Sequence, residues 1–428
     1  MKRLLMDELI SWKSKKKRKP LIIWGARQVG KTWLMKEFGR TNYDQTAYIT
    51  FYRNKAMQDT FAGSADIGRL IKSMEIESGV SITPGNTLIV LDEIQECPAA
   101  LDALKYFAED AAEYHVVAAG SQLGIAMHEG VSFPVGKVDE LTLYPMNFRE
   151  FLYAMGENRL CEALGDKRFV SDMRERAIQL LKSYYYIGGM PEVVAGFAED
   201  QDYAAARRLQ ESLLHQYEED FSKHVPAKDL AKVRLVWNAV PVQLAKENRK
   251  FFFGRVKEGA RLKDLEDAID WLVSYGLVYK VNKVSKPAVP LKSYAEVGVF
   301  KLFMFDCGLA AAMSELDARS LLDGNSVFTE FKGALTEEYV LTQIVSDTNY
   351  TPYYYAGDKG HFETDFVISK DGDVVPVEVK AETNLKSKSL RMYYDKFTPA
   401  KAYRISMADY QDQGWVVNVP LYAIHDYL

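Results

Sequence analysis

The sequence predicts an α/β chain: a parallel sheet built around a phosphate-binding loop, then a helical stretch, a small helix–strand unit and a second α/β region. Three observations predict it. The apolar run Leu21–Trp24 leads into Gly25-Ala26-Arg27-Gln28-Val29-Gly30-Lys31-Thr32 and then a helical pattern. A second apolar run, Thr87–Leu91, ends in adjacent carboxylates, Asp92 and Glu93. Near the end, Glu363–Ile368 and Val374–Lys380 read as strands joined by the hairpin turn Asp371-Gly372.

The first observation is the spacing G-x-x-x-x-G-K-T in strand–loop–helix context, a P-loop. Glycines let successive N–H groups, from Gly25, Ala26, Arg27, Gln28, Val29 and Gly30, turn toward a phosphate. The helix start adds unpaired N–H groups and its positive dipole end. Lys31 is expected to reach the β- and γ-phosphates, and the Thr32 hydroxyl to ligate Mg²⁺. The cofactors expected are therefore ATP and Mg²⁺. The second observation is the other half of such a site. Asp92, at a strand end, would hold Mg²⁺ through its water shell, and Glu93 would act as general base on the attacking water.

Size and composition set the surroundings. At 428 residues the chain exceeds one ordinary core, so several domains are expected. A net charge of −5 leaves nucleic-acid contact to local basic patches. Cys97, Cys161 and Cys307 lack metal-type spacing and point to a reducing compartment. No leader-like segment is seen, and no apolar run approaches the roughly 20 residues that cross a bilayer. A cytoplasmic protein without a membrane partner is expected.

Taken in order, Met1–Ser11 is amphipathic through Leu4, Leu5, Leu9 and Ile10. The basic run from Lys13 to Lys19 reads as a solvated linker rather than a nucleic-acid contact. Ala47–Phe51 is a second strand and Asp102–Ala112 a helix. His115–Ala119 is a third apolar strand, followed by Gly120 and Ser121. Ligands of open α/β sheets sit at the carboxyl ends of strands, so Ser121 is either a γ-phosphate sensor or a plain turn serine. Residues 150–225 are helical, interrupted at Gly188-Gly189-Met190-Pro191. Ala260–Val273 is a helix and Gly276–Val281 a turn and strand; with Asp264, Glu266, Asp267 and Asp270 on the helix, it suits protein packing better than DNA reading.

The segments 25–32, Leu91–Gln95, Gly120-Ser121 and Val135–Leu152 occur in the order found in a large group of bacterial and archaeal AAA-type ATPases, which the chain resembles. The resemblance implies a core at 1–150, a helical lid at 151–225, a winged-helix-like unit at 226–298 and a restriction-endonuclease-like domain at 299–428. In that group the position of Lys137 is more often arginine, which could act on the γ-phosphate of a neighbouring subunit. Lysine keeps the charge without the bidentate fork.

The C-terminal pattern is a helix glutamate, a strand aspartate, a turn, then Glu378-x-Lys380 on a strand. It resembles a nuclease core. Glu378 and Lys380, two apart on a strand, share a face. Asp365 can meet them from the partner strand, and Glu337 from the helix; an ordinary salt-bridged hairpin is the rival reading. Asp365 and Glu378 are the expected metal ligands, and Lys380 would stabilise charge at the reacting phosphate. Lys386, Lys388, Arg391 and Lys396 follow and suit phosphate contacts or a solvated helix face.

The function expected is Mg²⁺-dependent ATP binding and hydrolysis coupled to DNA through the nuclease-like domain. The alternative is a nucleotide-gated switch or docking protein with a catalytically inactive C-terminal domain. ATP is the expected ligand, with DNA, a second copy of the chain and a partner protein as further candidates.

Overall fold

The computed structural model describes residues 1–120, 133–166, 173–244, 250–318, 329–357 and 362–428. The chain divides into two compact units. The first holds Lys2–Tyr144 with Ser274–Gly276, and the second holds Pro145–Val273 and Leu277–Leu428, together with Met1.

The first unit runs α1 (Leu5–Lys13), β1 (Leu21–Trp24), α2 (Lys31–Asn42), β2 (Gln45–Thr50), α3 (Lys55–Gly63), α4 (Ile67–Ser78), β3 (Thr87–Asp92), α5 (Pro98–Asp110), β4 (His115–Ala119) and β5 (Asp139–Thr142). Its five strands are all parallel, in the order β2-β3-β4-β1-β5. Strands β3 and β4 are buried at every position, as expected where helices cover both faces of a parallel sheet. Ile22, Ile49, Leu91 and Ala118 meet Phe61 and Phe107 in one core, while α2 packs along β2, β3 and β4. Because β4 lies between β1 and β3, the loop after β1 and the carboxylates after β3 open onto the same end of the sheet, one strand apart.

The second unit is helical at first: α6 (Phe148–Ala154), α7 (Asn158–Ala163), α8 (Arg174–Ile187), α9 (Pro191–Asp200), α10 (Tyr203–His224), α11 (Leu230–Leu244), α12 (Phe253–Val256) and α13 (Leu262–Ser274). There follow β6 (Val278–Val284), β7 (Ala295–Met304), α14 (Cys307–Met313), α15 (Thr329–Asp347), β8 (Tyr353–Ala356), β9 (Glu363–Lys370) and β10 (Asp373–Val379). The chain ends with α16 (Lys388–Phe397), β11 (Tyr403–Ser406), β12 (Gln411–Asp412) and β13 (Val417–Pro420). The eight strands form one mixed sheet, β12-β13-β11-β10-β9-β8-β6-β7.

The boundary expected at 298/299 falls inside β7, and β7 pairs antiparallel with β6. The strand expected after the turn at Gly276 is β6, which lies in the C-terminal sheet, where its Lys283 and Val284 pair with Tyr354 and Tyr355. Helix α13 buries Leu265, Ala268, Ile269 and Leu272 and leaves its acidic residues in solvent.

The glycine pair at 188–189 also gains a physical cause. A Cβ on Gly189 would lie 2.0 Å from the Met146 carbonyl oxygen, and one on Gly188 2.2 Å from Asp306 Oδ1. The Met146 N–H donates to Gly189 O at 2.7 Å, and the Gly189 N–H to Asp306 Oδ2 at 2.6 Å. Asp306 also caps α14 by accepting from the Leu309 N–H at 2.9 Å. The break between α8 and α9 is a backbone-to-backbone seam that admits no side chain.

Candidate active site

The loop after β1 is shaped by backbone positions that ordinary residues avoid. Gly25 has φ 148°, and a Cβ there would sit 2.2 Å from the Leu143 carbonyl oxygen. Gln28 (φ 63°) and Gly30 (φ 95°) are left-handed, and Gly30 opens α2. The Arg3 guanidinium, almost fully buried, donates to Val29 O at 2.7 Å and to Tyr144 O at 2.6 Å. It ties the loop to the chain leaving β5.

Helix α2 starts on a glycine that offers no capping side chain and has no acidic residue in its first turn. The helix's own first turn thus leaves its N–H groups and positive end open to an anion. The Lys31 ammonium is folded against the loop, donating to Gly25 O at 2.8 Å and Ala26 O at 2.7 Å. Burial pulls its pKa from 10.5 down to about 8, against the upward pull of Glu93 and Asp92.

Thr32 and Asp92, 60 positions apart, are in contact: the Thr32 hydroxyl donates to Asp92 Oδ2 at 2.7 Å. Oδ2 also accepts from the Tyr48 hydroxyl at 2.8 Å, and Oδ1 from the Glu93 N–H at 3.0 Å. Glu93 sits beside this pair in a left-handed conformation (φ 53°, ψ 45°), and its carboxylate accepts from the Gln95 amide. A hydroxyl, a carboxylate, an ammonium and a helix start form a donor set that fits a triphosphate and a hard divalent cation. Lys137, considered for action on a neighbouring subunit, pairs with Glu109 at 2.7 Å. Ser121 lies outside the described residues.

The carboxylates expected in the second unit lie on α15, β9 and β10. The register that sets Val377 against Phe366 places Glu378 opposite Asp365. Glu378 Oε1 pairs with Lys380 Nζ at 2.6 Å, and its Oε2 accepts from the Leu390 N–H at 3.0 Å. Asp365 Oδ2 accepts from the Val379 N–H at 2.7 Å. Burial raises the Glu378 pKa, opposed by Lys380. Glu337 meets a lysine: its Oε2 lies 3.8 Å from Lys301 Nζ, and that ammonium lies 2.8 Å from Glu363 Oε1.

Asp365 faces Glu378 across β9 and β10, Glu378 pairs with Lys380, and Glu337 pairs with Lys301, a buried lysine that pattern reading did not single out. A backbone N–H holds one oxygen of each carboxylate, and Lys380 holds the other oxygen of Glu378. Among the described residues, no three His, Cys, Asp or Glu side chains stand close enough to hold a metal ion. Sequence reading also missed Tyr48 and Gln95. Tyr48 was open to discovery, since it stands two residues before the end of the strand beside β3. Lys301 gave no local signal.

Residues 17–152 match the AAA domain family. Residues 178–320 and 332–423 match two domains of unknown function, DUF8612 and DUF4143. Comparison with curated proteins gives no match. Among solved structures, the Walker-type ATPase PABY2304 of Pyrococcus abyssi is similar with a TM-score of 0.47 at 12% identity. It covers 73% of this chain and 95% of its own. The Aeropyrum pernix ORC1 protein, solved in complex with DNA, gives 0.28 at 17%, covering 73% and 90%. The Thermotoga maritima RuvB Holliday junction branch migration motor gives 0.32 at 13%, covering 66% and 90%. With the sheet order, the phosphate loop and the Thr32–Asp92 contact in place, residues 17–152 form an AAA-type P-loop domain.

Proposed function

We propose that the chain binds ATP with Mg²⁺ in the loop between β1 and α2 and hydrolyses it there. The observation that carries this reading is the contact of Thr32 with Asp92, which joins the two halves of a nucleotide site. The amides of Gly25, Ala26, Arg27, Gln28, Val29 and Gly30, with Lys31, hold the phosphates. Thr32 and Asp92 hold Mg²⁺, which when bound would offset phosphate charge. Glu93 receives the proton of the attacking water, and Gln95 orients its carboxylate. Ser121, just after β4, is assigned to sensing the γ-phosphate.

Lys31→Ala is expected to abolish nucleotide binding in calorimetry, and Glu93→Gln to bind ATP but turn it over at least ~100-fold more slowly. Retained ATP affinity in the first variant removes the loop assignment. Unchanged turnover in the second shows that another residue is the base.

For the second unit, the engagement of Glu337 by Lys301 favours a docking or switch module over a DNA-cutting one. Wild type and Asp365→Ala are therefore expected to leave single- and double-stranded DNA equally intact with Mg²⁺ or Mn²⁺. Cleavage lost on Asp365→Ala would restore the nuclease reading, with Glu378 and Lys380 as its partners.

A further inference from the structure

We propose that Tyr48 is a positioning residue that sets how tightly the loop site retains Mg²⁺ alongside a nucleotide. The proposal deepens the ATP reading and rests on it. In the register of β2 against β3, Thr50 pairs with Asp92 and Tyr48 with Val90. The Tyr48 side chain therefore starts one two-residue repeat short of the carboxylate and spans that gap along the sheet, roughly 7 Å. Its hydroxyl ends 2.8 Å from Asp92 Oδ2.

That oxygen is the one that accepts from Thr32, at 2.7 Å, and Asp92 itself is only 3% exposed. With Oδ1 taken by the Glu93 N–H, three donors fix the carboxylate. Two of them come from residues that would touch the cation or the water; Tyr48 touches neither. The ring is itself held from α2, where Lys36 Nζ lies 3.9 Å from its centroid. One helix thus presents Thr32 to the cation site and, one turn on, clamps the residue that aligns Asp92. Removing the phenol hydroxyl frees a lone pair on Oδ2 and lets the carboxylate rotate, so the cost falls on the metal rather than on the phosphates.

The test is calorimetry of ADP binding, with Mg²⁺ and with chelator, on wild type, Tyr48→Phe, Asp92→Asn and the double variant. Tyr48→Phe keeps the ring under Lys36, and its metal-free ADP affinity reports that the loop is folded. Expected are a metal-free affinity within about twofold of wild type and a Mg²⁺-dependent gain smaller by on the order of tenfold, the usual cost of losing a group that orients a metal ligand. In the Asp92→Asn background the second substitution is expected to add nothing. An unchanged Mg²⁺ gain, an equal loss without metal, or a full loss in the Asp92→Asn background each overturns the proposal. If wild type binds ADP neither with nor without Mg²⁺, the ATP reading itself is what fails.

Discussion

At the scale of single residues the loop site shows how burial tunes charge. Lys31 has left water, and the two carbonyl oxygens that receive it are weaker partners than the phosphates they stand in for. Its pKa near 8 makes binding sensitive to pH. Below about pH 8 the ammonium is already charged and a phosphate meets it directly. Above that, the free loop holds neutral lysine. The bound state, with phosphate charge beside Nζ, favours the ammonium, so binding must take up a proton. Affinity for ADP is then expected to fall above pH 8 by up to about tenfold per unit. Calorimetry at pH 7.5 and 9.5 in buffers of different ionisation enthalpy measures the proton directly. Equal affinity and no proton uptake across that range would contradict the assignment. Glu93 is the companion case. Its left-handed backbone is uncommon for a residue with a side chain, and the Asp92 carboxylate accepting its N–H holds it there. A strained position beside the metal-binding carboxylate suits a group that must face a water.

At the scale of elements, what was legible in the sequence was what neighbours in sequence decide. Strands β1, β3 and β4 are apolar runs because both faces of the sheet are covered, and such runs read clearly, while β2, at one edge, alternates with Ala47 and Ile49 buried. Strand β5 does not, since Asp139-Glu140-Leu141-Thr142 alternates exposure at the edge of the sheet with β1 as its one neighbour. The hairpin turn Asp371-Gly372 was legible because both residues take positive φ, 53° and 83°, which that dipeptide tolerates. The Gly188-Gly189 break was legible as a break, but its cause, a seam against Met146 and Asp306, lies over 40 and over 100 residues away. The site divides the same way. Residues 25–32 are contiguous, and Asp92 is fixed by strand order. Tyr48 on Asp92 and Lys301 on Glu337 depend on contacts that no local pattern encodes.

At the scale of the molecule, His115 in the first unit and Asp347 and Asp306 in the second respond to acid in opposite senses. In the first, His115 is packed among Trp12 and Tyr43, and the Tyr43 hydroxyl lies 2.7 Å from Nδ1. Burial, aided by Arg18 and Lys13, pulls its pKa from 6.5 to about 4. Between those values the unfolded chain binds the proton and the folded unit does not, so stability is lost as pH falls from about 6.5 to 4. In the second unit, burial raises Asp347 from 3.8 to about 7, although the Asn147 amide donates to it, and raises Asp306 from 3.8 to about 6. There the folded state holds the proton that the unfolded chain has released, so stability is gained as pH falls from about 7 to 4. Hydrogen exchange, corrected for intrinsic rates and compared at pH 5 and 7.5, separates the two. Peptides across β3 and β4 are expected to lose protection at pH 5, while those across α14 and the end of α15 gain it. Asp347→Asn should diminish the second response at the end of α15, keep the part at α14 that Asp306 carries, and leave the first untouched. Changes of one sign in both units would mean that these buried groups do not govern the response to acid.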